Sequence, residues 1–302
     1  MATGALLVHQ PSIGCVRSTR TYAKRAARGV IASVSSLIEC FLDQTAYISH
    51  KQIGAQKTGA VWSACDSVQK VPKGNRSAMR RDLLTWAMEC NETMQEFEQL
   101  VQQSTDDSKQ EDTEDENDVA SWEDFCGGAG TGETYRRSEL PVVNACLGLI
   151  KCSRGTINAV LQTCESGGDQ ASNIGNMEEE RAAYLWINKL HDSCRNVGEN
   201  MTDLGSLLYP PLQIESLDQN SQQEANGNIV DDDAFWNSFG EIGTQILHQQ
   251  RFISFTLQMI LNGPNIIQLS QELVDFVNKL MTASQKRFDD AKVAITQVET
   301  ST

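Results

Sequence analysis

The sequence predicts an all-α protein, a multi-helix bundle of long amphipathic helices interrupted by a disordered acidic linker. Three observations carry that expectation. Apolar residues recur every three or four positions over long stretches. Those stretches end at strong breakers, Pro72-Lys73-Gly74, Tyr209-Pro210-Pro211 and Asn262-Gly263-Pro264. Aromatics make up only 6% of the 302 residues, and the short alternating Val, Ile, Tyr and Phe runs of strands are missing.

Taken in order, residues 1–16 read as a flexible N-terminus and 17–103 as an N-terminal helical part. A first helix is predicted over 17–50, where Val30, Val34, Leu37 and Phe41 keep helical spacing with Ile31, Ile38 and Leu42 beside them. A short helix follows over 59–71 and stops at Pro72. From Asn75 a third helix carries Met79, Leu83, Ala87, Cys90, Met94, Phe97 and Val101, a stripe of three- and four-residue steps suited to bundle packing.

Residues 104–134 break the pattern and read as the acidic, glycine-rich linker. Between Ser104 and Asp124 ten residues are acidic and one, Lys109, is basic, too little apolar surface to offset the entropy of ordering. A C-terminal helical part is predicted over 135–212. It holds one stripe from Leu140 through Val143, Leu147, Ile150, Ile157 and Leu161 to Cys164, closed by Gly167-Gly168. A second stripe runs from Trp186 through Leu190, Val197, Met201 and Leu204 to Leu208. A polar loop over 213–233 precedes a helical hairpin over 234–302, with helices at 234–261 and 266–298.

Charge is uneven. Residues 1–81 hold 12 Lys/Arg and 3 Asp/Glu, a net of +9, and the rest hold 13 against 37, a net of −24, which together make the overall −15. Such asymmetry marks two differently charged surfaces or a basic patch for an acidic partner. Residues 1–38 contain no acid and five bases, a composition shared with organellar transit peptides, although a good helix begins at Arg17. The nine Cys are odd in number and form no CxxC pair, so a reducing compartment is expected, with thiols serving as small core hydrophobes. No apolar run reaches the ~18 residues a membrane-spanning helix needs.

No catalytic, cofactor-binding or metal-binding residue is singled out, and no cofactor is expected. Gly127 and Gly132 have P-loop spacing and Thr134 is of the right type, but Glu133 stands where the phosphate-binding Lys is required. His9, His50, His191 and His248 form no HxxxH or HExxH pattern. Arg81-Asp82-Leu83-Leu84 looks like a cyclin-docking RxL peptide, and Met88-Glu89-Cys90-Asn91-Glu92 is one residue from an LxCxE peptide. Both overlap the core stripe and read as core. Two surface features remain. Ser104, Thr113 and Ser121 each have an acid three residues on, the preference of acidophilic kinases, and are candidate phosphorylation sites. Lys70, Lys73, Arg76, Arg80 and Arg81 form a basic cluster that could serve nuclear import; without interleaved aromatics it does not suggest nucleic-acid stacking.

The order of these pieces resembles the cyclin-D-binding protein family (GCIP, also called Maid) over residues 15–212. The resemblance rests on the basic stretch Arg17 to Arg28 leading into Gly29-Val30, Leu37 and Leu42. It rests also on Gly59-Ala60-Val61-Trp62-Ser63-Ala64-Cys65 with the Pro72 break and the helix from Asn75 to Val101. The acidic linker, the helix through Cys146-Leu147 to Ile157, and Leu207-Leu208-Tyr209-Pro210-Pro211 complete it. Family members usually carry a further helical stretch ahead of the basic helix, so this chain resembles an N-terminally short member. The resemblance implies a non-enzymatic regulator that binds D-type cyclins and helix-loop-helix transcription factors. It also implies negative control of cell-cycle progression and transcription, a nuclear and cytoplasmic location, and no small-molecule substrate. A vinculin-like structural adaptor bundle is the alternative reading of the same helices.

Overall fold

The computed structural model describes residues 16–42, 50–110, 134–171, 177–212, 234–262 and 269–301. Among them are seven α-helices and no strand. They are α1 (Arg17–Leu42), α2 (His50–Gln69), α3 (Asn75–Gln110), α4 (Leu140–Ala171), α5 (Met177–Leu207), α6 (Ala234–Asn262) and α7 (Gln271–Ser301). The all-α expectation holds. Among the described residues no helix is long and apolar enough to cross a membrane.

Several boundaries differ from the sequence expectation. The second helix begins at His50 rather than 59, because Gly54 and Gly59 sit in the helix with open space around them and need no breaker role. The third helix continues past Ser104 to Gln110, so the first seven residues assigned to the linker are helical. There Ser104 and Thr105 turn their hydroxyls back onto the carbonyls of Leu100 and Val101 and stay within the ladder. Likewise α4 runs through Gly167-Gly168 to Ala171. The rest of the acidic segment, 111–133, with Thr113, Ser121 and the glycine run, and the 213–233 loop lie outside the described residues.

The chain divides into two compact units. One comprises Met1–Leu84, Leu161–His191 and Met259–Leu269; the other comprises Thr85–Val160, Asp192–Gln258 and Ser270–Thr302. Helices α3, α4, α5 and α6 contribute residues to both.

The second unit holds most of the core. Cys90, Phe97, Val143, Leu147, Ile150, Ile157, Val197, Met201, Leu204, Leu208, Ile246, Ile253 and Phe288 are all buried. Close approach is bought with glycine. A Cβ on Gly243 would stand 2.1 Å from the Phe288 ring, and one on Gly198 would meet Trp86 at 3.1 Å. Phe288 also packs on Phe239, ring centroids 5.3 Å apart. The Tyr-Pro-Pro ending of α5 is pinned from several sides. Tyr135 donates its hydroxyl to the Leu208 carbonyl at 2.5 Å, and its N–H to Ser104 Oγ at 2.8 Å. Buried Glu139 accepts the N–H groups of Arg136 and Leu212 at 2.9 and 3.0 Å. The Pro210–Pro211 bond is cis, and Tyr209 places its ring edge-on to Phe97, 5.3 Å between centroids.

Thiols behave as the sequence suggests. Cys90, Cys146, Cys164 and Cys194 are buried and form no disulfide, and burial pushes the thiols of Cys90, Cys146 and Cys164 up to about 12. They pack as neutral small hydrophobes.

Candidate functional site: an open helical hairpin on a polar clasp

Helices α1 and α2 are set apart by how little they bury. Helix α1 is 26 residues long with only the polar Ser18 buried, and none of the described side chains of α2 over 53–69 is buried. Helix α2 packs along α1, and Lys57 Nζ donates to Ser36 Oγ at 2.8 Å to set the register of the pair. Val30, Ser33, Leu37 and Cys40 are half-buried on that side. One turn of the helix wheel away, Ile31, Val34, Ile38 and Phe41 stay exposed; Ile31 keeps 65% of its surface, Ile38 53% and Phe41 73%. Leu42, beside Phe41, and Trp62 on α2 are also exposed. An exposed row of large apolar side chains on one helix is what soluble proteins otherwise avoid, and it marks an interaction surface.

Hydrogen bonds hold the base of the hairpin around the buried Val16. Asn75, at the start of α3, accepts the Val16 N–H and the Thr19 hydroxyl, each at 3.0 Å. Asn188 Oδ1 on α5 accepts the Arg17 N–H at 2.9 Å, satisfying a first-turn donor of α1. Ser18 Oγ and Asp82 Oδ2 both lie on His191 Nε2, at 2.8 and 2.9 Å. Tyr22 donates its hydroxyl to Asp82 Oδ1 at 2.5 Å. The Arg81 guanidinium sits 5.1 Å over the Tyr22 ring and donates to the Lys70 carbonyl at 3.3 Å.

Electrostatics suit a clasp. Burial pushes the Asp82 carboxyl up, but hydrogen bonds from His191, Tyr22 and Ser18 and the charge of His191 outweigh it and hold it below the ordinary carboxylate range. Burial, and then the bond to the Asp82 carboxylate, push the Tyr22 phenol up to about 12. Ser18, His191 and Asp82 have the residue types of a hydrolase triad but not its geometry. A triad imidazole uses opposite ring nitrogens for the nucleophile and the acid, whereas here both partners share Nε2 and the serine is buried. Among the described residues no group of three His, Cys, Asp or Glu is placed to hold a metal ion.

The basic cluster is partly committed to the fold. Arg80 pairs with Glu165 at 2.7 Å and Arg81 joins the clasp, while Lys70 and Lys73 are exposed at the turn between α2 and α3 and Arg76 is exposed at the start of α3. Ser104 is buried, donates to the Leu100 carbonyl and accepts the Tyr135 N–H. Phosphate could reach it only after that end of α3 opens. Leu83 and Cys90, from the two cyclin-type peptide lookalikes, are buried in the α3 stripe. The sequence carries no signal for the clasp: Ser18 and Tyr22 lie one turn apart on α1, but Asp82 and His191 are far from them and from each other in the chain.

Residues 1–103 match the family model described as Grap2 and cyclin-D-interacting, N-terminal. A Xenopus laevis protein named cyclin-D1-binding protein 1 homolog is 26% identical over 196 residues, 64% of this chain and 53% of that protein. Its Danio rerio namesake is 26% identical over 203 residues, 67% of this chain and 54% of that protein. The chain thus spans about half the length of the curated relatives it matches. The matched N-terminal segment contains the whole open hairpin and the α3 stripe behind it, and this match and the two relatives support the chain's similarity to the cyclin-D-binding (GCIP) family.

Proposed function

We propose that this chain is a non-enzymatic regulatory protein that binds a D-type cyclin through the open face of α1. One observation carries the reading. The apolar stripe that α1 leaves uncovered among the described residues lies inside the segment that matches a cyclin-D-interacting family model. An amphipathic helix that offers such a stripe is a ready half of a helix-in-groove or helix-pair interface. Binding of helix-loop-helix factors, restraint of cell-cycle progression and transcription, and a nuclear as well as cytoplasmic pool are the downstream parts of the same proposal. The exposed Lys70 and Lys73 would supply part of an import signal.

The test uses purified full-length chain with a purified D-type cyclin and, separately, a helix-loop-helix factor. Saturable binding of the cyclin supports the reading. Absence of binding to both proteins contradicts it.

A further inference from the structure

The exposed stripe of α1 does not stop at Ile31. Stepping back toward the N-terminus by the same alternation of three and four residues gives Phe41, Ile38, Val34, Ile31, Ala27, Lys24, Arg20 and Arg17. These eight positions form one seam along the helix. Its C-terminal half is apolar and exposed, and its N-terminal half is basic, with Arg25 and Arg28 flanking it. Lys24, Arg25 and Arg28 are exposed and take part in no ion pair among the described residues. The only acid on α1 is Glu39.

We propose that the seam is the docking site for an amphipathic helix of a partner protein that is acidic along one half of its contact face and apolar along the other. This rests on the reading that α1 is the partner-binding face, and it names the chemistry of what binds there. The charge pattern chooses the occupant. A second copy paired seam to seam in the same direction would set its basic half against this one, so like charges would oppose that pairing. A purely apolar helix would leave the cations of the N-terminal half facing nothing, and a basic one would repel them. An acidic half answers the N-terminal cations while the apolar half covers Ile31, Val34, Ile38 and Phe41. Steering by the basic half also makes encounter fast and salt-sensitive.

The test uses the full chain and two synthetic helical peptides of about 24 residues, long enough to hold helix when stapled. Both carry the same apolar stripe in one half; the other half presents Glu at the seam positions in one peptide and Lys in the other. Fluorescence anisotropy reads affinity at low and high salt. The Glu peptide is expected to bind at least about tenfold tighter than the Lys peptide, with the gap narrowing in salt. The double variant Ile38→Asp/Phe41→Asp loses both peptides. The double variant Lys24→Glu/Arg28→Glu reverses the preference toward the Lys peptide, a rescue that a misfolded protein could not give. Equal affinity for both peptides, or no binding of either, overturns the proposal. So does a chain that sediments as a dimer broken by Ile38→Asp, because a second copy would then cover the seam. A chain that binds a D-type cyclin but not the Glu peptide overturns this inference alone, and the reverse result overturns only the cyclin assignment.

Discussion

Helices α1 and α3 carry the same three-and-four alternation of apolar residues, yet they end in opposite environments. On α3, Met79, Leu83, Ala87, Cys90, Met94 and Phe97 are all buried. On α1, Ile31, Val34, Ile38 and Phe41 are all exposed. Periodicity states that a helix has a face to cover; it does not state what covers it. The apolar surface of α1 is also wider than that of α3, since Val30 and Leu37 lie beside the stripe. Helix α2 attends to that second edge and leaves the first open. One stripe therefore contributes to folding and the other is free to contribute to binding.

Substitutions can break this contrast, and the deepest is the largest. Phe97→Ala should cost about 3–5 kcal/mol, because a fully buried ring leaves a cavity and Tyr209 loses its edge-on partner. Urea unfolding followed by circular dichroism measures it. Gly243→Ala should cost about 1–3 kcal/mol by overpacking, since the new methyl meets the Phe288 ring and the ring must move. Gly29→Ala in α1, where a Cβ meets nothing within 4 Å, is the matched control and should stabilise the helix by up to about 1 kcal/mol.

The clasp sharpens the comparison, because polar contacts around the buried Val16 hold the base of α1. Asp82→Asn should cost about 2 kcal/mol by removing a charged acceptor from three donors. Its folded carboxyl titrates below the ordinary value. The stability it adds is therefore full above the ordinary carboxylate range and is lost as pH falls through the lowered folded value. Amide protection over the first turns of α1, taken relative to the intrinsic exchange rate at each pH, should accordingly be steady from neutral pH down to about 5 and fall only below about 4. In Asp82→Asn the lower protection should be present throughout. The smallest effect belongs to the open stripe, where Phe41→Ala should change stability by no more than about 0.5 kcal/mol, since the ring is already in solvent.

Much of this was legible in the chain itself. The stripes of α3, α4 and α5 put Leu83, Phe97, Ile150, Ile157, Leu190 and Leu204 in the core, where they are found. Proline breakers placed the start of α3 and the end of α5. Glycine misled: at positions 59 and 167–168 it reads as a boundary, but a helix tolerates it at a cost of about 1 kcal/mol, and α2 and α4 run through these positions. Composition also misled at residues 104–110, which are helical although polar, with buried Ser104 tied to the Tyr135 N–H. The clasp could not be read at all, because Ser18, Asp82 and His191 meet only through tertiary structure. Nor could the openness of α1, which depends on the number of neighbours the fold supplies.

The most direct test is the affinity of a D-type cyclin for the full chain and for Ile38→Asp/Phe41→Asp, with thermal unfolding of both proteins measured alongside. The account predicts unchanged unfolding and an affinity lowered at least about tenfold, as expected for loss of two central apolar anchors. Cyclin binding equal to the unaltered chain would contradict it, because the stripe would then be neither core nor interface.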